Sequence, residues 1–227
     1  MKILNLYACL GGNRYKWDEV AEEAGIEIEV TAVELDPELA RMYGERFPFD
    51  EVVIADAHQF LLDHYKEYDF IWSSPPCPTH SRARGYNPKV ETKYPDMKLY
   101  EEIIMLQTTS KGEDARFKGK FIIENVLPYY EPLIPAQKRG RHLYWANFTI
   151  PNFKHREGVR IGKAKDEVTE WCKFHDYDFR QYKGQQPINK IARNLVDYEA
   201  GKTIFETVLG IYKAKNTNQT NIFDQGA

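Results

Sequence analysis

Tyr68-Asp69-Phe70-Ile71-Trp72-Ser73-Ser74-Pro75-Pro76-Cys77 decides how this chain is read: an apolar run of strand length stops at two prolines and delivers a cysteine. A short apolar run bounded by turn residues fits a buried strand. In open α/β sheets ligands bind beyond the carboxyl ends of the strands, so Cys77 stands where such folds keep their chemistry. Pro75 and Pro76 fix φ and withdraw two N–H donors, so the backbone there is stiff and the thiol can be aimed. Taken alone, the cysteine reads more readily as a small buried hydrophobe than as a nucleophile. The rest of the chain has to decide between the two.

Strand and turn signals recur on both sides of this stretch. Toward the amino terminus the spacing predicts strands over 2–8, 26–33 and 51–54, with helices over 13–24, 37–47 and 57–65. Beyond Cys77 it predicts a helix over 97–109, strands over 120–124 and 141–149, and a terminal helix over 198–213. Strands alternating with helices at this interval mean βαβ units, hence an α/β fold whose sheet is mostly parallel and flanked by helices. Residues 78–95 are polar and long for a plain connection, which marks a lid or binding loop. Residues 152–190 show weak periodicity and many charges, and 216–227 read as a frayed tail.

At 227 residues and 42% hydrophobic content, the chain can bury one sizeable core with a small appended lobe. No stretch approaches the ~20 apolar residues of a membrane span. The start Met1-Lys2-Ile3-Leu4-Asn5 runs straight into a strand, so a cytoplasmic protein with no membrane partner is expected. Cys9, Cys77 and Cys172 are far apart and lack metal-ligand spacing, which argues against disulfides and against a metal site; Cys172 and His175 are expected to be core packing. A net charge of −3 does not suit a wide phosphate footprint. Yet basic residues from Lys138 to Lys190 alternate with Trp171, Phe174, Tyr177, Phe179 and Tyr182, while acids gather over 18–29 and 36–51. That distribution gives a basic face on an acidic body, with most of the aromatics in a secondary core.

Several strand ends carry candidate chemistry. Asn5-Leu6-Tyr7-Ala8-Cys9-Leu10-Gly11-Gly12 is a strand closing in a glycine turn, where backbone can approach a ligand closely. Glu34 ends the second strand about 22 residues after Gly12, where Rossmann-like folds bind ribose hydroxyls. Asp56 ends the third strand and reads equally as a helix N-cap. Glu124 closes the β-branched run Phe121-Ile122-Ile123 at the same sheet edge. Arg139 and Arg141, two apart on an extended chain, point to one side.

Together these residues resemble the C5-cytosine-specific DNA methyltransferases, in a compact form. The glycine turn is similar to that family's F-x-G-x-G-G motif, Pro75-Pro76-Cys77 to its P-P-C loop, Glu124-Asn125-Val126 to its E-N-V triplet, and Gln137, Arg139 and Arg141 to its Q-x-R-x-R element. Asn194-Leu195-Val196 is similar to its closing G-N-x-V segment. The resemblance covers 2–149 and 188–213; Cys9, Ser73-Ser74, Pro78 and Arg193 depart from it, and 150–190 is a short stretch for a target reader.

The resemblance implies a Rossmann-like S-adenosylmethionine-dependent fold: a catalytic domain over 1–149, a small target-recognition region over 150–190 and a returning helix over 191–215. It implies methyl transfer to C5 of a flipped-out cytosine in double-stranded DNA, with Cys77 adding to C6, Glu124 at N3, Arg141 at O2 and Arg139 behind it. S-adenosylmethionine would lie on Gly11 and Gly12, with Tyr7 against adenine, Glu34 on ribose, Asp56 near the adenine amino group and Asn194 beside the pocket. Pro76, Arg82, Arg84 and Gln137 would meet the nucleic acid. Three readings stay open beside it: a tRNA cytosine-5 methyltransferase, a catalytically silent DNA-binding regulator, and a Rossmann-like enzyme of a small molecule. The resemblance also leaves open a cognate restriction endonuclease as partner and favours a monomer.

Overall fold

The computed structural model describes residues 1–82, 91, 93–108, 117–153, 156, 159 and 166–214. Strands β1 (Lys2–Leu6), β2 (Glu29–Glu34), β3 (Glu51–Ile54), β4 (Phe70–Ser73), β5 (Lys120–Val126), β6 (Gln137–Arg139) and β7 (His142–Ala146) form one seven-stranded sheet in the order β3-β2-β1-β4-β5-β7-β6. The pairs from β3 through β5 are parallel, and β7 and β6 add antiparallel at the far edge. The direction of strand addition reverses between β1 and β4, the topological switch point at which open α/β sheets bind ligands.

Helices α1 (Trp17–Ala24), α2 (Pro37–Arg46), α3 (Ala57–His64), α4 (Lys98–Gln107), α5 (Glu167–His175), α6 (Ile188–Asn194) and α7 (Tyr198–Leu209) follow in chain order. Both faces of the sheet are covered, which is why β1, β2 and β4 read as near-continuous apolar runs. On one face Ala57 and Leu61 of α3 and Leu99, Ile103 and Leu106 of α4 pack on Leu4, Leu6, Ile71, Phe121 and Ile123. On the other, Trp17 and Val20 of α1 and Ile204, Phe205 and Val208 of α7 pack on Ile3, Phe70, Trp72 and Ile122. A third cluster joins Trp171, Phe179, Tyr182 and Ile191 to Leu10, Leu39 and Met42.

The expected elements are present with shifted ends: β2 starts at Glu29 and runs to Glu34, and β5 continues past Glu124 to Val126. β1 stops at Leu6 because Tyr7 (φ 55°) and Cys9 (φ 49°) turn left-handed. α1 begins at Trp17 rather than Asn13 because Asn13 donates to Asn5 Oδ1 (2.8 Å) and Arg14 clasps Asp50 (2.8 and 2.9 Å), which holds that stretch in turns. β6, α5 and α6 are elements that the periodicity did not predict. α5 nonetheless carried a signal: Asp166 accepts from Thr169 N as its N-cap, and Trp171 and His175 recur at helical spacing.

Candidate active site

The carboxyl ends of β1, β2, β4 and β5 open on a cavity of about 1100 Å3, a size suited to a bound small molecule. Tyr7, Gly12, Glu34, Asp56, Pro76, Cys77, Glu124, Arg141 and Asn194 line it, so nine of the expected site residues meet in one place. Gly11, Arg82, Gln137 and Arg139 lie outside that lining, and Arg84 falls outside the described residues.

Those four residues have other partners. A Cβ on Gly11 (φ 67°) would meet the Phe47 ring at 2.3 Å, so this glycine serves packing under the turn. A Cβ on Gly12 would meet the Val196 carbonyl at 2.3 Å; its smallness admits the Leu195–Val196 backbone as well as giving onto the cavity. Gln137 donates to Phe148 O (2.7 Å) and accepts from Ile150 N (2.8 Å). Arg139 donates to Pro151 O (2.9 Å), to Lys138 O (2.8 Å) and to Ile150 O. Gln137 and Arg139 do share a side of β6, but that side fastens the chain leaving β7. Gly140, at φ 57°, breaks the alternation, and Arg141 reaches the cavity. Arg82 donates to Pro128 O (2.9 Å), tying the chain after Cys77 to the exit of β5.

The loop that carries Cys77 is held from several directions. Ser73 Oγ donates to Glu102 Oε2 (2.7 Å), Trp72 Nε1 to Ser74 Oγ (2.9 Å), and Asn125 Nδ2 to Pro75 O (3.0 Å), while His80 and Ser81 N–H both reach Cys77 O (3.0 Å). Burial pushes the Cys77 thiol up, the charge of Glu124 adds to that, and Lys190 and Arg141 oppose it. Burial likewise pushes Glu124 up to about 7, against a Ser74 hydrogen bond and Arg141 that favour its carboxylate. At neutral pH the resting site therefore keeps a thiol beside a carboxyl group poised to give or take a proton.

At the other end, Glu34 accepts from Cys9 N (2.8 Å) and Asp36 N (2.9 Å); burial still raises it above the usual carboxylate range. Asp36 caps α2 and accepts from Tyr182 OH (2.7 Å) and Gln186 Nε2 (3.0 Å); burial works against ionisation there, but these bonds win and hold it low. Asp56 proves to be the N-cap of α3, accepting from His58 N (2.9 Å) and Gln59 N (3.1 Å), with Lys98 at 3.5 Å from its other oxygen. Tyr7 OH donates to Glu102 Oε1 (2.6 Å), and Glu102 also meets His58 Nδ1 (3.0 Å).

Sequence reasoning missed Glu102, Asp36 and His142 as members of the site. Glu102 had a signal, because it falls on the buried stripe of α4 with Leu99, Ile103 and Leu106. Part of the expected basic face is paired within the chain: Arg156 with Asp197 (2.5 Å) between Phe174 and Tyr198, and Arg180 with Asp178 (2.7 Å) on the exposed surface. Arg193, beyond that stretch, pairs with Glu167 (2.7 Å). Lys183 and Lys190 line the cavity, whereas Lys154, Arg160, Lys163 and Lys165 fall outside the described residues. His175 is core, stacked on Trp171 and in contact with Ala192 O through Nε2 (3.1 Å).

Several solved structures match the chain at low identity. It is similar to a DNMT2 variant from Spodoptera frugiperda (22% identity over 55% of this chain and 35% of that one, TM-score 0.35). It is similar also to a putative DNA modification methyltransferase encoded within an E. coli prophage (19% identity, 58% and 33%, TM-score 0.35). A hypothetical protein of Thermus thermophilus aligns at 18% identity over 64% and 73%, TM-score 0.38. The chain spans about a third of the length of the first two. No curated protein matches it. The model of C-5 cytosine-specific DNA methylases matches residues 1–128, more than half of the chain, and the chain belongs to that family.

Proposed function

We propose that the protein is an S-adenosylmethionine-dependent DNA cytosine-5 methyltransferase whose nucleophile is Cys77. The observation that carries this reading is that Cys77, Glu124 and Arg141 line the same cavity as Tyr7, Gly12 and Glu34. S-adenosylmethionine, when bound, supplies an electrophilic methyl group. The donor set suits it: each Glu34 oxygen keeps acceptor capacity for ribose hydroxyls after its backbone bond, and Tyr7 offers a ring whose hydroxyl is already pinned by Glu102.

Cytosine C5 is a poor nucleophile, and the chain's side chains supply what it lacks. Cys77 gives its thiol proton to solvent and its Sγ bonds to C6 as the thiolate, the C5–C6 electron pair moves to C5, and the proton of Glu124 moves to N3, so the ring carries no net charge as it becomes an enamine. Arg141 meets O2 and, with Lys190, favours the thiolate over the thiol. Once C5 carries the methyl group and has lost its proton to solvent, the Sγ–C6 bond breaks and the proton on N3 returns to Glu124. Asn125 holds the Pro75 carbonyl and thereby the aim of Cys77 throughout. A base stacked in a duplex cannot enter this rim, so the target cytosine is flipped out, at a cost of a few kcal/mol. Residues 1–149 form the catalytic part and 150–190 the recognition part, with 191–215 returning to the cofactor side.

The test is methyl transfer from methyl-labelled S-adenosylmethionine to unmethylated duplex DNA, with tRNA in parallel. Label is expected in 5-methylcytosine of the DNA and absent with Cys77→Ser. Label in tRNA alone would replace DNA as the substrate. Cofactor binding with no label in either would leave a silent nucleic-acid binder.

A further inference from the structure

Glu124 has a neighbour at the rim whose chemistry the proposed reaction does not yet use. β5 and β7 pair with Glu124 opposite Tyr144 and Val126 opposite His142, so Glu124 and His142 are diagonal neighbours on one face of the sheet. Nε2 of His142 lies 3.5 Å from Oε1 of Glu124. Their side chains keep 21% and 10% of their surface, and both line the cavity with Cys77 and Arg141, so the contact is reachable by a base and screened from bulk water.

We propose that His142 is a positioning residue for Glu124: its Nε2–H holds Oε1, turns the other carboxyl oxygen toward the target cytosine, and stabilises the carboxylate left when the proton moves to N3. The inference rests on the role given to Glu124 above. The proton leaves the second oxygen of Glu124 as the Sγ–C6 bond forms and returns to it as that bond breaks, so His142 itself loses nothing in the cycle. Ser74 and Cys77 from the β4 loop, Arg141 before β7 and Tyr144 across the strand pair face the same carboxyl group, with Lys190 of α6 beside Cys77 and Arg139 and Asp197 beside Tyr144. Burial outweighs Ser74 and Arg141 while Glu124 is protonated, so an oriented donor counts most at the moment the charge appears. Because His142 follows Arg141 directly, one strand start presents both the O2 donor and the Glu124 partner.

Two variants and two readouts test the contact. His142→Val removes the donor and keeps a side chain that suits a strand, and His142→Gln returns an N–H. In His142→Val, kcat should fall on the order of tenfold, as for the loss of one hydrogen bond to an ionised group, with KM for the cofactor unchanged. The alkaline limb of the kcat profile should move to higher pH, since a carboxylate deprived of a donor holds its proton longer. His142→Gln should recover most of the rate. An unmoved limb, or a change confined to cofactor KM, overturns the proposal. The second readout needs no turnover: the imidazole C–H titration of His142 followed by NMR in the wild type and in Glu124→Gln. Its midpoint should fall in Glu124→Gln, where an anionic neighbour has been removed; superimposable curves overturn the contact. A wild type that methylates no nucleic acid overturns the reaction itself, and the titration still decides the pair.

Discussion

Glu124 is held at the rim at a cost to folding. Its ordinary carboxyl pKa of 4.5 becomes about 7 in the folded chain, chiefly through burial. A folded pKa above the unfolded one means that the favourable contribution is whole below about pH 4.5 and is lost as pH rises through about 7. Glutamine has the same shape and no charge to desolvate. Glu124→Gln should therefore be more stable than the wild type at pH 8, by roughly 3 kcal/mol relative to the difference between the two at pH 4. Urea unfolding of both proteins at the two pH values checks this, and a difference independent of pH would show that Glu124 is not buried as an acid. The same substitution should abolish methyl transfer, because no proton could then reach N3. Cys9 shows another local cost of the turn that bounds the cavity. A side chain at φ 49° is strained where the family's usual glycine is not, and its backbone N–H is what reaches Glu34.

Among the elements, α4 does more than cover the sheet. Its Glu102, 1% exposed, accepts from Tyr7 at the end of β1 and Ser73 at the end of β4, and meets His58 of α3. One carboxylate thus joins the expected cofactor wall to the loop of Cys77. Glu102→Ala would strand the buried Ser73 hydroxyl and the half-buried Tyr7 hydroxyl and should cost about 2–4 kcal/mol, whereas Glu102→Gln keeps one acceptor and should cost less. Urea midpoints rank the two, and equal losses would mean that packing rather than the network is at stake. The apolar spacing of Leu99, Ile103 and Leu106 puts Glu102 on the buried stripe of α4, but no pattern in the sequence names Tyr7, Ser73 and His58 as its partners. The central parallel strands β1 and β4 were legible, since burial on both faces makes them nearly apolar throughout. Short elements were not: β6 has three residues and α6 seven, too few for a period to register. That Cys77 and Glu124 face one rim was legible from the apolar runs before them, whereas Arg141, just before β7, was marked only by its spacing from Arg139. That Gln137 and Arg139 lie apart from Arg141 was not legible, because the turn at Gly140, which separates their side from that of Arg141, is a backbone event with no hydrophobic pattern.

Taken whole, the molecule closes its cavity by folding its later residues back on its first βαβ unit. Arg46 of α2 is the main fastener. Its guanidinium lies 4.5 Å from the ring centroids of both Tyr15 and Tyr177, and it donates to Leu10 O (2.8 Å) and His175 O (3.5 Å). Tyr15 OH donates to Asp176 (2.5 Å), and Tyr182 and Gln186 both bond Asp36 next to Glu34. Residues 166–195 are therefore coupled to the Glu34 end of the cavity through α2, although the long stretch before them shows little periodicity in the sequence. Arg46→Ala should remove three cation–ring contacts, with Tyr15, Tyr177 and Phe47, of which the first two are worth about 0.5–1 kcal/mol each, together with buried donors to two carbonyls, for a total loss of about 2–4 kcal/mol. It should also open residues 176–186 to protease at concentrations that leave the wild type intact, because the Tyr177 and Asp36 attachments share that helix. Limited proteolysis mapped by mass spectrometry, beside urea unfolding, reads both effects. If stability falls while cleavage stays where it was in the wild type, Arg46 supports α2 alone, and the closure depends on Asp36 and the Arg156–Asp197 pair instead.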